Sequence, residues 1–356
     1  MKKKHIQEKE GNVAVCGENK YAGTPHEAGG QFEKGGHPVE APEVDSSGAP
    51  DKEEGRKVIT VSQDGDGDYD SPKKAYKTAR PGNTIRIRKG LYLEKINITT
   101  PDLIIEGEPG VEIVSDDDDY TIRVNTESCT LRNLRLQNFS EDMDCAVLDI
   151  MSGRAMIEDC EITGGYMGIS IRGKAKPMLR NNKIHESRVG ISAHDGGEGT
   201  IEDNYIYRNH ATGIIVKGGG NPTIHRNRFL ANGTGVMVLD SGMGIVKDND
   251  ISMSDGAGIL VLKGGSARIE YNRICFGETG IAVYSSDGVL IEGNDVFENG
   301  GTGIDVHAGA APVIRGNRIT LNKEGVCERA CADSEIEGNY FDNNSRGNYI
   351  TIEGCC

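Results

Sequence analysis

Ile201-Glu202-Asp203-Asn204-Tyr205-Ile206 is followed a few residues later by Gly213-Ile214-Ile215-Val216. The next stretch repeats the pattern as Ile224-His225-Arg226-Asn227-Arg228-Phe229 and Gly235-Val236-Met237-Val238. The asparagine recurs at Asn182, Asn204, Asn227, Asn249, Asn272, Asn294, Asn317 and Asn339, at alternating intervals of 22 and 23 residues. The glycine recurs with the same period at Gly168, Gly190, Gly213, Gly235, Gly258, Gly280, Gly303, Gly325 and Gly347. Two independent columns with one period define a structural repeat. Apolar residues alternate within each unit, so the units are short strands. Units of this length stack as coils with parallel strands about 4.8 Å apart. The chain is therefore read as all-β, a right-handed parallel β-helix of about 10–12 coils of 22–23 residues.

Each column has a physical role. Ile169, Ile191, Ile214, Val236, Ile259, Ile281, Ile304 and Val326 form one inward ladder, and Leu179 through Ile336 form another. Asparagine is expected to take the left-handed backbone of a sharp corner and to hydrogen-bond along its column. Glycine is expected to serve the other corner. Outward charges alternate as Arg228, Asp250, Arg273, Asp295 and Arg318, which suits pairing between successive coils.

Outside the repeat the organisation changes. Residues 1–56 are polar, without apolar periodicity, and read as a disordered tail. Residues 57–128 read as a cap and first coils, and residues 129–356 as the regular helix. Ser71-Pro72 opens a short helix as N-cap and first turn, and Pro81-Gly82 closes it. That helix is expected to plug the first coil. Asp64, Asp66 and Asp68 alternate as in a calcium loop, but Ala75 stands where the twelfth-position glutamate belongs, so a glycine turn is the reading.

The stretches Pro177-Met178-Leu179-Arg180-Asn181-Asn182-Lys183-Ile184-His185 and Gly199-Thr200-Ile201-Glu202-Asp203-Asn204 resemble parallel β-helix repeats of the CASH type. They are most similar to the β-helix segment of F-box ubiquitin-ligase adaptors, and this likeness implies the fold. Gly65-Asp66-Gly67-Asp68-Tyr69 and Lys89-Gly90-Leu91-Tyr92 resemble the entry segment of pectin methylesterases and other pectin-lyase-like proteins. That likeness implies how the helix starts. The esterases' arginine-tryptophan motif has no counterpart in a chain without tryptophan.

A net charge of -15 opposes phosphate backbones, which argues against nucleic acid as a partner. Nine irregularly spaced cysteines suit reduced thiols in a cytoplasmic protein. Cys327, Cys331, Cys355 and Cys356 have the residue type for zinc, but the reading adopted is no metal and no cofactor. Gly354-Cys355-Cys356 resembles a doubly geranylgeranylated terminus, so a membrane enters only if Cys355 and Cys356 are lipidated.

Candidate sites lie on the outward face of the G-I-x-V strands. Ile215, Met237, Leu239, Leu260, Leu262 and Tyr284 form an apolar patch, the expected contact with a protein partner unless the chain itself covers it. Beside it His194-Asp195 and Asp305-x-His307 each place a carboxylate next to a histidine, suited to acid–base work. Asp195 and Asp240 lie two coils apart, at the outer limit for paired carboxylates. Asp195, Asp240, Asp305 and His307 are thus the catalytic candidates. The expected function is a protein-binding scaffold, with a carbohydrate-active enzyme (lyase, epimerase or hydrolase) as the alternative.

Overall fold

The computed structural model describes residues 57–329 and 331–353. The expected tail and the Cys355-Cys356 terminus lie outside these residues.

The chain is an all-β parallel solenoid of about 13 turns. Each regular turn contributes three short strands, for example Thr212–Val216, Thr223–His225 and Arg228–Leu230. They stack into three columns, called here the first, second and third sheets. The long strands Tyr120–Arg132 and Ala146–Glu158 bridge the first corner, so the first two columns join as one 23-stranded array. The third is a 12-stranded sheet. Register is continuous: Ile191 pairs with Ile214, Ile214 with Val236 and Val236 with Ile259. These inward residues are fully buried and form one core along the solenoid. The helix Pro72–Thr78 is capped by Ser71, whose side chain accepts from the Lys74 backbone amide. It buries Ala75 and packs Tyr76 and Ala79 against the first turns. Asp68 accepts from the Thr60 amide and Asp66 pairs with Arg88, so the aspartate segment is a turn tied to the sheet.

The asparagine column makes the expected ladder. The Asn249 side-chain oxygen accepts from the Asn227 backbone amide (2.9 Å) and from its Nδ2 (3.1 Å). Asn249 Nδ2 donates to the Ile224 carbonyl at 3.0 Å and to Asn272 Oδ1 at 2.9 Å. One detail corrects the sequence reading. The left-handed residue is the one before each asparagine: Asn181, Asp203, Arg226, Asp248 and Tyr271 all have φ between 53° and 55°. The asparagine itself satisfies the backbone groups that the corner exposes.

The glycine column also needs correction. Gly168, Gly190, Gly213, Gly235, Gly258, Gly280 and Gly303 are not left-handed; they are required by close approach. A Cβ on Gly235 would lie 2.4 Å from the Gly258 carbonyl oxygen and 2.7 Å from Ile251 Cγ2. A second asparagine ladder, not foreseen, runs along the corner between the third and first sheets. Asn209 donates to Asn232, and Asn299 to Asn322 and Asn322 to Asn344, at 3.0–3.1 Å through their backbone amides. Each is again preceded by a left-handed residue, among them Arg208, Ala231, Glu298 and Leu321. Ala231 is exposed with φ 53°. Ala231→Gly should therefore stabilise the protein by roughly 0.5–1 kcal/mol, although glycine usually weakens a β-protein. A lowered denaturation midpoint would show that the corner is not strained.

The outward charge column of the third sheet pairs in register from Arg228 to Arg318. Arg318 meets Asp295 at 2.8 Å. Cys129, Cys145, Cys160, Cys275 and Cys327 are buried. Cys331 is disulfide-bonded, so the expectation of reduced thiols throughout does not hold.

Candidate functional site

Alternation along each strand of the first sheet turns one residue inward and the next outward. Two outward columns result. The first reads Arg123, Asp149, Ser170, Ser192, Ile215, Met237, Leu260, Ala282, Asp305 and Cys327, every neighbour in register. The second, at the strand ends, includes Arg172, His194, Lys217, Leu239, Leu262, Tyr284, His307 and Arg329. The face therefore has an apolar centre flanked by two polar clusters.

Ile215, Met237, Leu239, Leu260, Leu262 and Tyr284 are all half-buried. None is among the exposed large hydrophobic residues of the described chain. Stacking at strand spacing lets each side chain shield its neighbours, so the band is less bare than the sequence suggested.

The N-terminal cluster centres on Asp149, whose side chain is 4% exposed. Arg123 Nε donates to it at 2.7 Å, and Arg172 donates through Nε and Nη2 at 2.9 and 2.8 Å. Burial pushes the Asp149 carboxyl up, but the hydrogen bonds and charges of Arg172 and Arg123 outweigh burial and hold it below its ordinary value. Ser170 Oγ lies 3.2 Å from His194 Nε2, and His194 Nδ1 lies 2.8 Å from Asp195.

The C-terminal cluster joins three successive turns. Asp305, with its side chain 10% exposed, receives Arg329 Nε at 2.8 Å and Nη2 at 3.1 Å. His307 Nε2 is 3.0 Å from the same carboxyl group. The Tyr284 ring stacks on His307 with centroids 3.7 Å apart and planes at 19°. Burial, and then the charge of Asp305, push the Tyr284 hydroxyl above its usual range. A carboxylate thus fixes the imidazole through Nε2 and leaves Nδ1 as the basic nitrogen. Arg329 Nη1 is not spent on Asp305.

Both predicted carboxylate–histidine pairs are therefore formed, Asp195 with His194 and Asp305 with His307. Asp240 is exposed at a left-handed position (φ 47°), and its side chain has no hydrogen-bond or ion-pair partner among the described residues. Sequence reasoning missed the roles of Asp149, Tyr284 and Arg329. Arg329 and Tyr284 were legible as column members; their contact with His307 depends on side-chain direction.

Known proteins can now be set beside this geometry. The family described as right handed beta helix region matches residues 120–274. The family described as periplasmic copper-binding protein (NosD) matches residues 234–353. No curated protein matches the chain. Among solved structures, the A-module of the mannuronan C-5 epimerase AlgE6 of Azotobacter vinelandii is similar at 16% identity and a TM-score of 0.60, covering 80% of this chain and 93% of that one. The Dettilon tailspike protein is similar at 16% identity and a TM-score of 0.60, covering 83% and 68%. A periplasmic alginate epimerase, AlgG, is similar at 16% identity and a TM-score of 0.51, covering 84% of each chain. None of these bears on the likeness to F-box adaptors.

The copper of the second family finds no fitting donor set. No three His, Cys, Asp or Glu side chains are grouped to hold a metal among the described residues. His307 is committed to Asp305, and burial, foremost, raises the Cys327 thiol. The periplasmic description stands against the cytoplasmic setting expected from the sequence. No helix among the described residues is long and apolar enough to cross a membrane. Its columns, its register and these likenesses make the chain a right-handed parallel β-helix of pectin-lyase-like architecture.

Proposed function

We propose that this β-helix is carbohydrate-active and that it acts on uronate-bearing polysaccharide at the Tyr284–Asp305–His307–Arg329 cluster. The observation that carries this reading is the imidazole of His307, oriented by Asp305 and stacked on a tyrosine whose hydroxyl stays protonated. Removing a proton next to a carboxylate needs three things: a base, a cation to quiet the carboxylate, and an acid. His307 Nδ1 supplies the base. Arg329 supplies the cation beside it. The Tyr284 hydroxyl supplies the acid. The C5–H bond breaks and its proton passes to His307. The resulting enolate then expels O4, which takes the Tyr284 proton from the same side, so the C4–O bond breaks and an unsaturated uronate forms. If a solvent proton reaches C5 from the opposite face instead, the epimer forms and His307 returns its proton to solvent. The epimerases among the similar structures agree with this class of reaction, as mannuronan and alginate are uronate polymers.

The test is to incubate the protein with polymannuronate, pectate and neutral glucans in D2O. Deuterium entering C5, epimer formation or new unsaturated uronate ends are the expected results, all followed by NMR. Absence of exchange, epimerisation and cleavage in every polymer would end the proposal.

A second reading follows from the apolar band. Four turns of half-buried apolar side chains between two polar clusters have the layout of a protein contact. Met237→Asp with Leu260→Asp should leave the melting point within a few degrees, because both side chains point outward. Ile259→Asp, fully buried, should unfold the coil. If the outward pair abolishes a defined protein complex but spares polysaccharide turnover, the band serves a partner. If it destabilises the isolated protein as much as Ile259→Asp does, the band is part of the fold.

A further inference from the structure

The corner between the third and first sheets is short in most turns. It spans two residues after Gly164 (165–166), three after His185 (186–188) and four after Tyr207 (208–211). After Asn138 it spans seven, residues 139–145, the longest corner of this column among the described residues. In a repeat fold an insertion that disturbs an otherwise uniform corner is a departure from what packing requires. This one is not slack. The Ser140 amide donates to Asn138 Oδ1 at 2.8 Å, Ser140 Oγ to Asp118 at 2.7 Å, and the Asp144 amide to Asp142 at 2.9 Å. Cys145 at its end is fully buried. The pinned loop nevertheless holds Phe139 65% exposed, at a cost in bare apolar surface that the fold does not explain.

Beside this shelf lies a recess of about 410 Å³, within the usual range for small-molecule sites. Its floor is Gly164-Gly165, both left-handed, with φ of 77° and 64°. A Cβ on Gly164 would lie 2.2 Å from the Asn138 carbonyl oxygen, so the floor carries no side chain. Phe139 forms one wall. Tyr166 forms another, with the Arg188 guanidinium over its ring at 5.7 Å. Arg188 has no ion pair among the described residues, and His210 at the far rim has no side-chain partner. Glu141 and Glu186 complete a rim of mixed charge.

We propose that this recess is a sugar subsite that holds one or two pyranose units of a polysaccharide. An aromatic wall accepts the apolar face of a pyranose ring. Flat polar groups around it take the ring hydroxyls, and Arg188 with His210 can also receive a carboxylate. The bare glycine floor leaves room for the ring. The recess lies about three to four turns from the Tyr284–His307 cluster at its His210 rim and six to seven at Phe139, roughly 15–30 Å at strand spacing. It therefore anchors a polymer away from the reacting atoms. This deepens the carbohydrate reading above and rests on it.

The test uses Phe139→Ala with Arg188→Ala, two exposed positions whose loss spares the core. Binding is measured by ligand-detected NMR and calorimetry with a hexamer of mannuronate and with cellohexaose, in the His307→Ala background so that turnover cannot intrude. The expected result is binding of at least one hexamer, weakened about tenfold or more in the double variant. Preference for the mannuronate hexamer would assign Arg188 and His210 to a carboxylate; equal binding would assign a neutral ring. Unchanged binding in the double variant overturns the subsite and leaves the carbohydrate reading standing. Turnover of polymer by the intact protein without hexamer binding at this recess does the same. Neither binding nor turnover overturns both.

Discussion

Asn249→Leu should destabilise the protein by about 3–5 kcal/mol, although leucine is apolar and of similar size and the site is fully enclosed. The substitution leaves the Asn227 amide without its side-chain acceptor and the Ile224 carbonyl without its side-chain donor, and takes one bond each from Asn227 Nδ2, which keeps the Ile201 carbonyl, and from Asn272 Oδ1, which keeps the Asn249 amide. Each unpaired buried group costs roughly 1–3 kcal/mol, and water has no path to repair them. Asn249 also sits mid-ladder, with three asparagines stacked before it and four after it. The measurement is the guanidinium midpoint by far-UV circular dichroism, with the m-value fitted to show whether the whole solenoid or a few coils melt. Parent-like unfolding would mean that the ladder contributes geometry alone. The same change at Asn339, half-exposed and at the end of the column, should cost less.

Most of the fold was legible because a solenoid writes its geometry into one period. Ile214, Asn227 and Gly235 each stand for a column, and register follows from the spacing between equivalents. The reasons behind the columns were less legible. A left-handed residue before each asparagine can be Asp, Arg, Tyr or Gly, so no residue type marks it. The second asparagine ladder is interrupted by Ser254 and Gly277, which hides its period. Val58–Val61 and Thr84–Ile87 were legible as strands of the first coils, but they lack both marker columns, so the repeat itself does not give their parallel register.

The site was legible as positions and not as contacts. Alternation alone places Asp305, His307, Tyr284 and Arg329 on one face. It does not say that Arg329 reaches back one turn, or that Tyr284 lies flat on the imidazole. Those facts depend on rotamers chosen by neighbours in the stack. The recess beside Phe139 was missed for a different reason. Residues 139–145 fall in a degenerate coil, where a longer corner looks like the repeat failing.

His307→Ala should lower turnover of a uronate polymer by about 10²–10⁴-fold, the usual contribution of a positioned base. Loss of a base and loss of an acid can be told apart. In D2O, His307→Ala should abolish both deuterium entry at C5 and product formation, because no proton leaves without Nδ1. Tyr284→Phe keeps the ring that packs on His307 and removes only the hydroxyl. It should leave exchange at C5 measurable while product falls, since the enolate forms and returns by the same face. Asp305→Asn should fall between them. The amide still faces His307, but Arg329 loses the carboxylate that both its Nε and Nη2 engage, and the cation is no longer held in place. All three variants change outward side chains, and their melting points should stay close to the parent, with Asp305→Asn the lowest because it strips a 10%-exposed carboxylate from Arg329. Full activity in His307→Ala would remove this cluster from the chemistry. The same polymers would then have to be tried against the other polar end of the face, where Ser170, His194 and Asp195 already share a chain of hydrogen bonds.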